Sequence, residues 1–572
     1  MIRPFNQVNS SQTYLWMISI KNQTNRIRPF NPVNGIHRVQ QTYLWMISIK
    51  NQTNRICPFN PVNSIHREVR DQPIGPYFGY QCDEVTDASN WEQLGVVIRY
   101  VVNGKPIERL IEFIECEEIT GMAICESIIS CMNEVGLDPN YCRSQTMDGA
   151  GNMSGKHSGC AARFKDQYPK AVYHYCSCHD LNLAISKSCS LKEVQICLDT
   201  LKKLGIFFKY SPKRTRRLER AVDEINDERT ENKIDKKKFK VFSETRWVEK
   251  HITLQTFQEM YQPILLCLEA ISLRERNWDT KAVVEANGLL AKLSDSQFIA
   301  SFQTIRNFFG YMSGLSKKLQ GSSLDVLDGY RMVAHVREVI SGLRSDDNEY
   351  DSVFHRMEEM AQLTDGVMTV PRQCARQSQR SNVPASSAKE YFKRNTYLPY
   401  LDSLIQQLDF RFSTLAQQSA QALCLVPSNL SRLNQEVLHA IETSFGSDMP
   451  DQSSFLQELN LWKQMWSHQT DQPDTLSKTL LDDRTCRTMF PNITKVIHLL
   501  LLTSVTSSSV ERANSSLRFI KSYLRSTMGG ERFNALMLLF IHKDIKVDVS
   551  KIIDIFISRN PRRMLLENPT GD

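Results

Sequence analysis

The sequence predicts an α/β core that is interrupted by a large all-helical insertion. Between residues 77 and 206, short runs of β-branched and aromatic residues alternate with segments of helical periodicity. From about residue 250 to residue 480 the strand signals fade, and apolar residues recur at helical spacing, most clearly over 324–343, 397–425 and 453–466. Further helices are predicted near the end, over 508–524 and 529–541.

Each core element is bounded by turn residues. Asn103 and Gly104 separate two β-branched runs and are a strong signal for a tight hairpin. In chain order the predicted elements are strands 77–83, 93–102 and 106–116, helix 120–135, strand 141–147, helix 152–167, strand 171–176 and helix 180–206. Three antiparallel strands followed by alternating helices and strands are the layout of an RNase H-like core, a mixed five-stranded sheet with flanking helices.

The chain divides into five predicted parts. The string TYLWMISIKNQTNRI occurs at 13–27 and again at 42–56, and two near-identical copies favour a recent duplication over a folded repeat array. We therefore predict a disordered segment over 1–70, the first part of the RNase H-like core over 77–248, the helical insertion over 249–480, a C-terminal region that completes the core over 485–548, and a tail over 549–572.

Composition excludes several classes of protein. A chain of 572 residues with 41% hydrophobic residues is typical of a globular protein of several domains. We find no secretory signal and no run of 18 apolar residues, so we expect no membrane partner. Fifteen cysteines without a regular framework favour reduced thiols. The net charge of +7 is uneven, because lysines and arginines crowd residues 202–240. That basic cluster is either a solvated face or linker, or a phosphate-contacting stripe or nuclear address.

Two carboxylates stand at the ends of predicted strands. Asp83 ends the first strand in CDEVTD, and Asp148 ends the fourth in TMDGAGNMSG. In an RNase H-like sheet these two strands are neighbours, so the carboxylates would face one another. Carboxylates in this arrangement can share divalent metal ions for phosphodiester chemistry.

The chain resembles hAT transposases, in particular the subgroup of MYM-type zinc finger relatives. The resemblance runs from about Tyr77 to Ile545 and follows the family's order of motifs. The matching blocks are CDEVTDASNWEQLGVVIRYV, MDGAGNMSGKHSG, CSCHDLNLAI, SETRW, VPRQCARQSQRSN, YLPYLDSLIQQLDFRF and VTSSSVERANSSLRFIKSYLRSTMGGERFNALMLLFIHKDI. Within the last block, Ala513 and Asn514 stand where the family has an aromatic residue followed by serine, and Ser504 stands at a position where proline is common.

The resemblance assigns roles to individual residues. It implies a catalytic triad of Asp83, Asp148 and Glu511, which would hold Mg²⁺ or Mn²⁺ and cleave DNA by hydrolysis and then transesterification, leaving hairpins on the flanking DNA. It implies DNA contacts by Arg246 and Trp247 and by the series Arg372, Arg376 and Arg380. It also implies a C-x-x-H motif of Cys176 and His179, and self-association through Leu517, Leu524, Phe533, Leu536, Leu538 and Leu539.

Several of these roles have plainer alternatives. Trp247 may equally be a core residue, and the arginine series a solvated loop. Cys176, Cys178 and His179, with Cys160 or Cys189, could form a zinc site, but packing in the core is favoured and zinc is not expected. The stretch 533–541 is apolar almost all round, so it is buried either within its own fold or against a second copy.

Three functional hypotheses remain open. The leading one is a nuclear, transposase-derived protein that forms a homo-oligomer and lacks an evident DNA-end-binding zinc finger, because no Cys/His framework precedes Asp83. The alternatives are an active metal-dependent transposase and a non-catalytic transcriptional regulator. DNA, either non-specific or transposon ends, is the expected second partner, and no small-molecule substrate is expected.

Overall fold

The computed structural model describes residues 61–72, 74–231, 233–236, 238–239, 247–275, 277–321, 324–371, 384–413, 424–479, 484–545, 550, 552–554 and 558. Contacts group the chain into two compact units. The large unit comprises His66–Val85 and Glu92–Ser515, and the small unit includes Thr86–Trp91 and Ser516–Asp572. This division does not follow the borders that the sequence predicts.

A mixed five-stranded sheet forms the centre of the large unit. Its strands are β1 (Phe78–Thr86), β2 (Glu92–Val102), β3 (Lys105–Cys116), β4 (Cys142–Met147) and β5 (Val172–Tyr175). They lie in the order β3-β2-β1-β4-β5. The β2–β3 pair is antiparallel, whereas β1–β4 and β4–β5 are parallel. Asn103 and Gly104 both have positive φ values, 51° and 70°, as the predicted hairpin turn requires. The RNase H-like fold class is therefore confirmed.

Helices flank this sheet where the periodicity predicts them, with two corrections. The elements are α1 (Pro61–Arg70), α2 (Gly121–Glu134), α3 (Gly151–Ser154), α4 (Cys160–Gln167), α5 (Ser177–Ser188), α6 (Lys192–Lys209) and α7 (Pro212–Glu228). The helix predicted over 152–167 is two helices separated by a segment with glycine at both ends, and the helix predicted over 180–206 is interrupted at residues 189–191. The sequence prediction missed both breaks because apolar spacing continues across them.

The first helix corrects part of the disordered segment predicted over 1–70. Residues 61–70 form α1, which buries Ile65 and Val69 at 1% and 2% exposure. The duplicated strings at 13–27 and 42–56 lie outside the described residues. The prediction therefore fails for its last ten residues, where an amphipathic helix buries its apolar side chains.

The middle of the chain is helical throughout its described part. The helices are α8 (Trp247–Ser272), α9 (Thr280–Leu293), α10 (Ser296–Leu319), α11 (Val326–Gly342), α12 (Asp347–Gln362), α13 (Ala388–Phe392), α14 (Leu398–Arg411), α15 (Gln435–Phe445), α16 (Phe455–Ser467) and α17 (Leu476–Thr479). The apolar faces of α8 to α14 form one core with α5 to α7. Phe257 of α8 packs at its centre, with its ring 4.8 Å from that of Phe302 on α10. The buried residues of α15 to α17 belong to a second core, which they share with residues 490–502 near the end of the chain.

Four helices end the described chain. They are α18 (Arg484–Met489), α19 (Pro491–Leu502), α20 (Ser508–Ile520) and α21 (Gly530–Ile541). The apolar α19 is almost wholly buried and contacts β2, β3 and β4 of the sheet. No helix among the described residues combines the length and the apolar character needed to span a membrane.

Candidate active site

The first two predicted acids lie at the same edge of the sheet. In the parallel β1–β4 pair, Gln81 is in register with Thr146. Asp83 and Asp148 each follow two residues later, so the register places them side by side on neighbouring strands. Asp148 comes directly after β4, as predicted, whereas β1 continues for three residues beyond Asp83 to Thr86 and does not end at Asp83. Both side chains are partly buried. The sequence-based prediction that these strands are neighbours is confirmed.

The third acid reaches this edge through α20. Glu511 lies in the first turn of that helix, and Asn514 follows one turn later on the same face. The Asn514 side-chain amide donates a hydrogen bond to Asp83 Oδ2 at 2.9 Å. Asn514 thus replaces the serine of the family pattern with a side chain long enough to reach Asp83, a contact that sequence reasoning missed.

A glycine allows α20 to approach the sheet closely. Gly95 of β2 lies beneath the helix, and a Cβ atom added there would stand 2.8 Å from Val510 and 3.3 Å from Asn514. A larger residue would therefore push the helix outward, and with it the adjacent Glu511. The sequence signal for this contact is a single glycine inside a strongly β-branched strand.

Glu511 and Asp148 lie close enough to Asp83 to affect its pKa. The pKa of Asp83 is raised from 3.8 to about 8, first because burial disfavours the carboxylate, and then because Glu511 and Asp148 add negative potential. Burial also raises the pKa of the neighbouring Glu84, although Asn152 donates to both of its oxygens at 3.2 Å. This edge of the sheet therefore concentrates negative charge that no described basic side chain neutralises at Asp83.

The loop after β4 holds Asp148 in place. Asp148 Oδ1 accepts a hydrogen bond from the Ala150 amide at 3.2 Å, and its carbonyl accepts one from Tyr173 Oη at 3.1 Å. Gly149 is required between Asp148 and Ala150, because a Cβ atom at position 149 would lie 2.1 Å from Tyr175 Oη. Gly149 therefore allows the Tyr175 side chain to lie close to the backbone after Asp148.

The C-x-x-H motif lies beside the acids, since Cys176 adds to the negative potential at Asp83. Cys176 is fully buried at the start of α5, and its Sγ accepts a hydrogen bond from the Ser507 amide at 3.3 Å. A hydrogen bond with Cys178 lowers the pKa of Cys176 and raises that of Cys178. Burial lowers the pKa of His179. The motif thus packs the start of α5 against the segment that precedes α20.

A buried ion pair supports the first turn of α20 from below. Arg99 and Glu108, on β2 and β3, are 1% and 4% exposed and lie 2.6 Å apart. Glu108 also accepts hydrogen bonds from Gln81 at 2.7 Å, from Ser504 at 3.2 Å and from Ser509. Ser504 therefore takes part in a buried polar network at the position where the family commonly has proline. A charged pair inside β-branched strands is the sequence signal that could have revealed this network.

The donor atoms at the acid edge suit a hard divalent cation, since Mg²⁺ and Mn²⁺ prefer carboxylate oxygens. The arrangement of these carboxylates, however, does not suit a bound cation. Across the part of the chain that the structure describes, no group of three or more His, Cys, Asp or Glu side chains is placed so that it could hold a metal ion. The triad therefore does not fit a bound metal without a change in side-chain positions.

The predicted DNA-contacting residues are not brought to this site by any described contact. Arg246 and the series Arg372, Arg376 and Arg380 lie outside the described residues. Trp247 is the first residue of α8. The choice between a core role and a DNA-contacting role for Trp247 stays open.

Most of the predicted self-association residues are buried within the protein. Leu517, Phe533, Leu536 and Leu538 are at most 6% exposed, and Leu539 is intermediate, whereas Leu524 is 92% exposed. An apolar helix such as α21 buries its side chains in its own fold when space is available. The burial of Phe533, Leu536 and Leu538 agrees with the intramolecular alternative for the stretch 533–541, and the role of the six residues in self-association stays a prediction.

Comparison with known proteins agrees with this arrangement. Residues 34–159 match the ZMYM1/FAM200 RNase-like domain, and residues 453–545 match the hAT family C-terminal dimerisation region. These two regions are similar to proteins of the hAT transposase type. The first match includes β1 to β4 with Asp83 and Asp148, and the second includes Glu511.

Two curated relatives support the same assignment. The chain is 26% identical over 500 residues to the human protein named 52 kDa repressor of the inhibitor of the protein kinase, and 26% identical over 501 residues to its mouse counterpart. Each match covers 86% of this chain but only 64% and 65% of the relative. The hAT-like chain thus spans slightly less than two thirds of the length of these proteins.

Proposed function

We propose that this chain is a transposase-derived nuclear protein that associates with a second copy of itself through its C-terminal hAT region. The observation that supports the proposal is an exposed apolar surface in the small unit, within the segment that matches the dimerisation region. This terminal patch consists of Phe519, Tyr523, Leu524 and Phe540, which are 63%, 84%, 92% and 37% exposed.

The terminal patch is ordered by contacts among its own residues. The rings of Phe519 and Phe540 stack with centroids 6.4 Å apart, which joins the end of α20 to α21. Arg518 lies 5.2 Å from the Phe519 ring, and Lys543 lies 4.6 Å from the Phe540 ring. Aromatic anchors with a cationic border are typical of protein interfaces. Large apolar side chains that are exposed to this extent are costly to leave in water when they lie together.

The test is the molar mass of the full chain by light scattering after size-exclusion chromatography. We expect a dimer or larger species for the wild type and a monomer for Leu524→Asp, because a charge would be buried at the interface. Leu273→Asp is the matched control, since Leu273 is a similarly exposed leucine in the large unit, at 77%. A monomeric wild type, or an equal loss of mass in the control, would refute the proposal.

A second candidate function is metal-dependent DNA strand cleavage. The observation that favours it is the proximity of Glu511 and Asp148 to Asp83: burial, and then the negative potential of these two acids, raise the pKa of Asp83, and a divalent cation would offset that potential. The triad would first have to close around the cation. Titration with Mn²⁺ in a calorimeter decides this candidate. Binding that disappears in Asp83→Asn and Asp148→Asn would support it, and an absence of binding to the wild type would eliminate it.

A further inference from the structure

The basic cluster of residues 202–240 separates into two groups in the structure. Several of its members are neutralised by nearby carboxylates. The ion pairs are Arg214–Glu285 at 3.1 Å, Arg217–Glu224 at 3.2 Å, Lys236–Glu259 at 3.1 Å and Lys238–Glu219 at 3.9 Å. Two of these pairs join α7, or the segment after it, to neighbouring helices, one lies within α7, and one ties the following segment back to α7. This group is therefore explained by the fold.

The second group lines a cleft beside the first half of α7. The cleft has a volume of about 270 Å³ and is lined by Lys213, Arg216, Arg217, Arg220, Glu275 and Trp278. The four basic residues stand at positions i, i+3, i+4 and i+7, so they follow one face of the helix over two turns. With a single acid among the lining residues, the cleft is strongly positive.

Two of these arginines are available to a ligand. Arg216 and Arg220 are exposed, and among the described residues neither has an ion-pair partner. Each guanidinium can therefore offer its fork of N–H donors outward. This fork matches the oxygens of a phosphate group and can bind them in a bidentate manner.

Aromatic rings stand next to the positive charge. Lys213 Nζ lies 4.1 Å from the centroid of the Trp278 ring and donates to the Asn277 carbonyl at 2.9 Å, which fixes one wall of the cleft. Tyr210 precedes α7 by two residues and is 74% exposed. The Nζ atom of Lys209 lies 5.3 Å from the Tyr210 ring. An exposed tyrosine ring in this position has a face on which a planar group can stack.

We propose that this cleft binds single-stranded nucleic acid, with backbone phosphates against Arg216 and Arg220 and an unpaired base stacked on Tyr210. A basic groove combined with an exposed aromatic ring is the usual design for single-strand binding. In a duplex the bases are already stacked on one another, so Tyr210 would add nothing there. An acidic peptide would satisfy the arginines but has no planar base for the ring.

The test uses the full chain and fluorescence anisotropy with a labelled oligothymidylate of about 16 nucleotides, the upper site size of common single-strand binding folds. The affinity is measured between about 50 and 200 mM salt. In Arg216→Ala/Arg220→Ala we expect the slope of log affinity against log salt to fall by about 1.4, since each lost phosphate contact on a single strand is worth about 0.7. Tyr210→Ala should weaken binding roughly 5- to 150-fold, and Tyr210→Phe should keep the wild-type affinity.

The matched control is Arg337→Ala/Arg344→Ala. This variant removes the same amount of positive charge. Both arginines are already paired, however, Arg337 with Asp409 at 2.8 Å and Arg344 with Asp402 at 2.7 Å. The proposal is overturned if the wild type does not bind the oligothymidylate, if the control loses as much affinity as the Arg216/Arg220 variant, or if Tyr210→Ala binds normally. Equal or tighter binding of a duplex of the same length, or of polyglutamate, would also overturn it. The molar mass should be unchanged in Arg216→Ala/Arg220→Ala, so the outcome is independent of the proposed self-association.

Discussion

Replacing Asp83 with asparagine should stabilise the protein at neutral and alkaline pH. Asparagine has nearly the shape of the neutral carboxyl group and keeps an oxygen that can accept the hydrogen bond from Asn514. It removes a negative charge that is partly buried beside Glu511 and Asp148. The substitution therefore separates the energetic cost of the charge from the packing of the side chain.

The size of the effect follows from the pKa. Because the pKa of Asp83 is raised from 3.8 to about 8, folding favours the neutral carboxyl. Its stabilising contribution is full below about pH 4 and is lost as the pH rises to about 8. At about 1.36 kcal/mol per pH unit, the loss reaches about 4 kcal/mol at pH 7. Side-chain movement and water at the open edge reduce this, so we expect a gain on the order of 3 kcal/mol for Asp83→Asn at pH 7.

The assay is thermal unfolding of both proteins between about pH 5 and pH 9, a range that spans the titration. If the whole chain of 572 residues unfolds together, the variant should melt about 3 °C higher at pH 7, and by more if the sheet unfolds separately. The difference should widen up to about pH 8. Asp199→Asn, which changes an exposed carboxylate on α6, should show no such dependence. A variant that melts below the wild type at pH 7, or a difference that does not change with pH, would refute the reasoning.

Two further substitutions test packing in each unit. Lys521→Met should lower the free energy of unfolding by about 3–5 kcal/mol, because it leaves the fully buried Asp87 carboxylate without the ammonium group that lies 2.5 Å away. The control Lys543→Met changes an exposed lysine and should be nearly neutral. Gly95→Ala should lower the free energy of unfolding by about 1–3 kcal/mol, because the added Cβ atom forces α20 away from β2. The control Gly288→Ala on α9, where an added Cβ atom meets open space, should leave the stability unchanged or raise it. Both pairs are compared by chemical denaturation, and a control that loses as much as its partner would contradict the explanation.

The strands of the core were predictable because their signals are local. β-Branched runs, the Asn103–Gly104 turn and alternating helices define all five strands to within three residues of their observed ends. The helices after β4 were less accurate. The breaks at residues 155–159 and 189–191 depend on how each helix packs against the sheet and against its neighbours, and apolar spacing does not report that.

The candidate site was only partly accessible from the sequence. Asp83 and Asp148 were paired correctly because parallel neighbouring strands end at one edge of a sheet. Glu511 was proposed through resemblance alone, since more than 360 residues separate it from Asp148. The contact between Asn514 and Asp83 and the hydrogen bonds from Ser504 and Ser509 to Glu108 were not predicted, because each joins segments that are distant in sequence.

The sequence by itself determined the elements, their order and the chemical character of each face. The tertiary structure decided which apolar residues are left for a partner and which charges are left for a ligand. Phe533 and Leu524 are both large apolar residues of the matched dimerisation region, yet one is fully buried and the other is 92% exposed. Likewise Arg217 is paired with carboxylates, while Arg220 on the same helix has no ion-pair partner among the residues that the structure describes. Periodicity tells which side of a helix is apolar or charged, but only the packing of distant segments decides what covers that side.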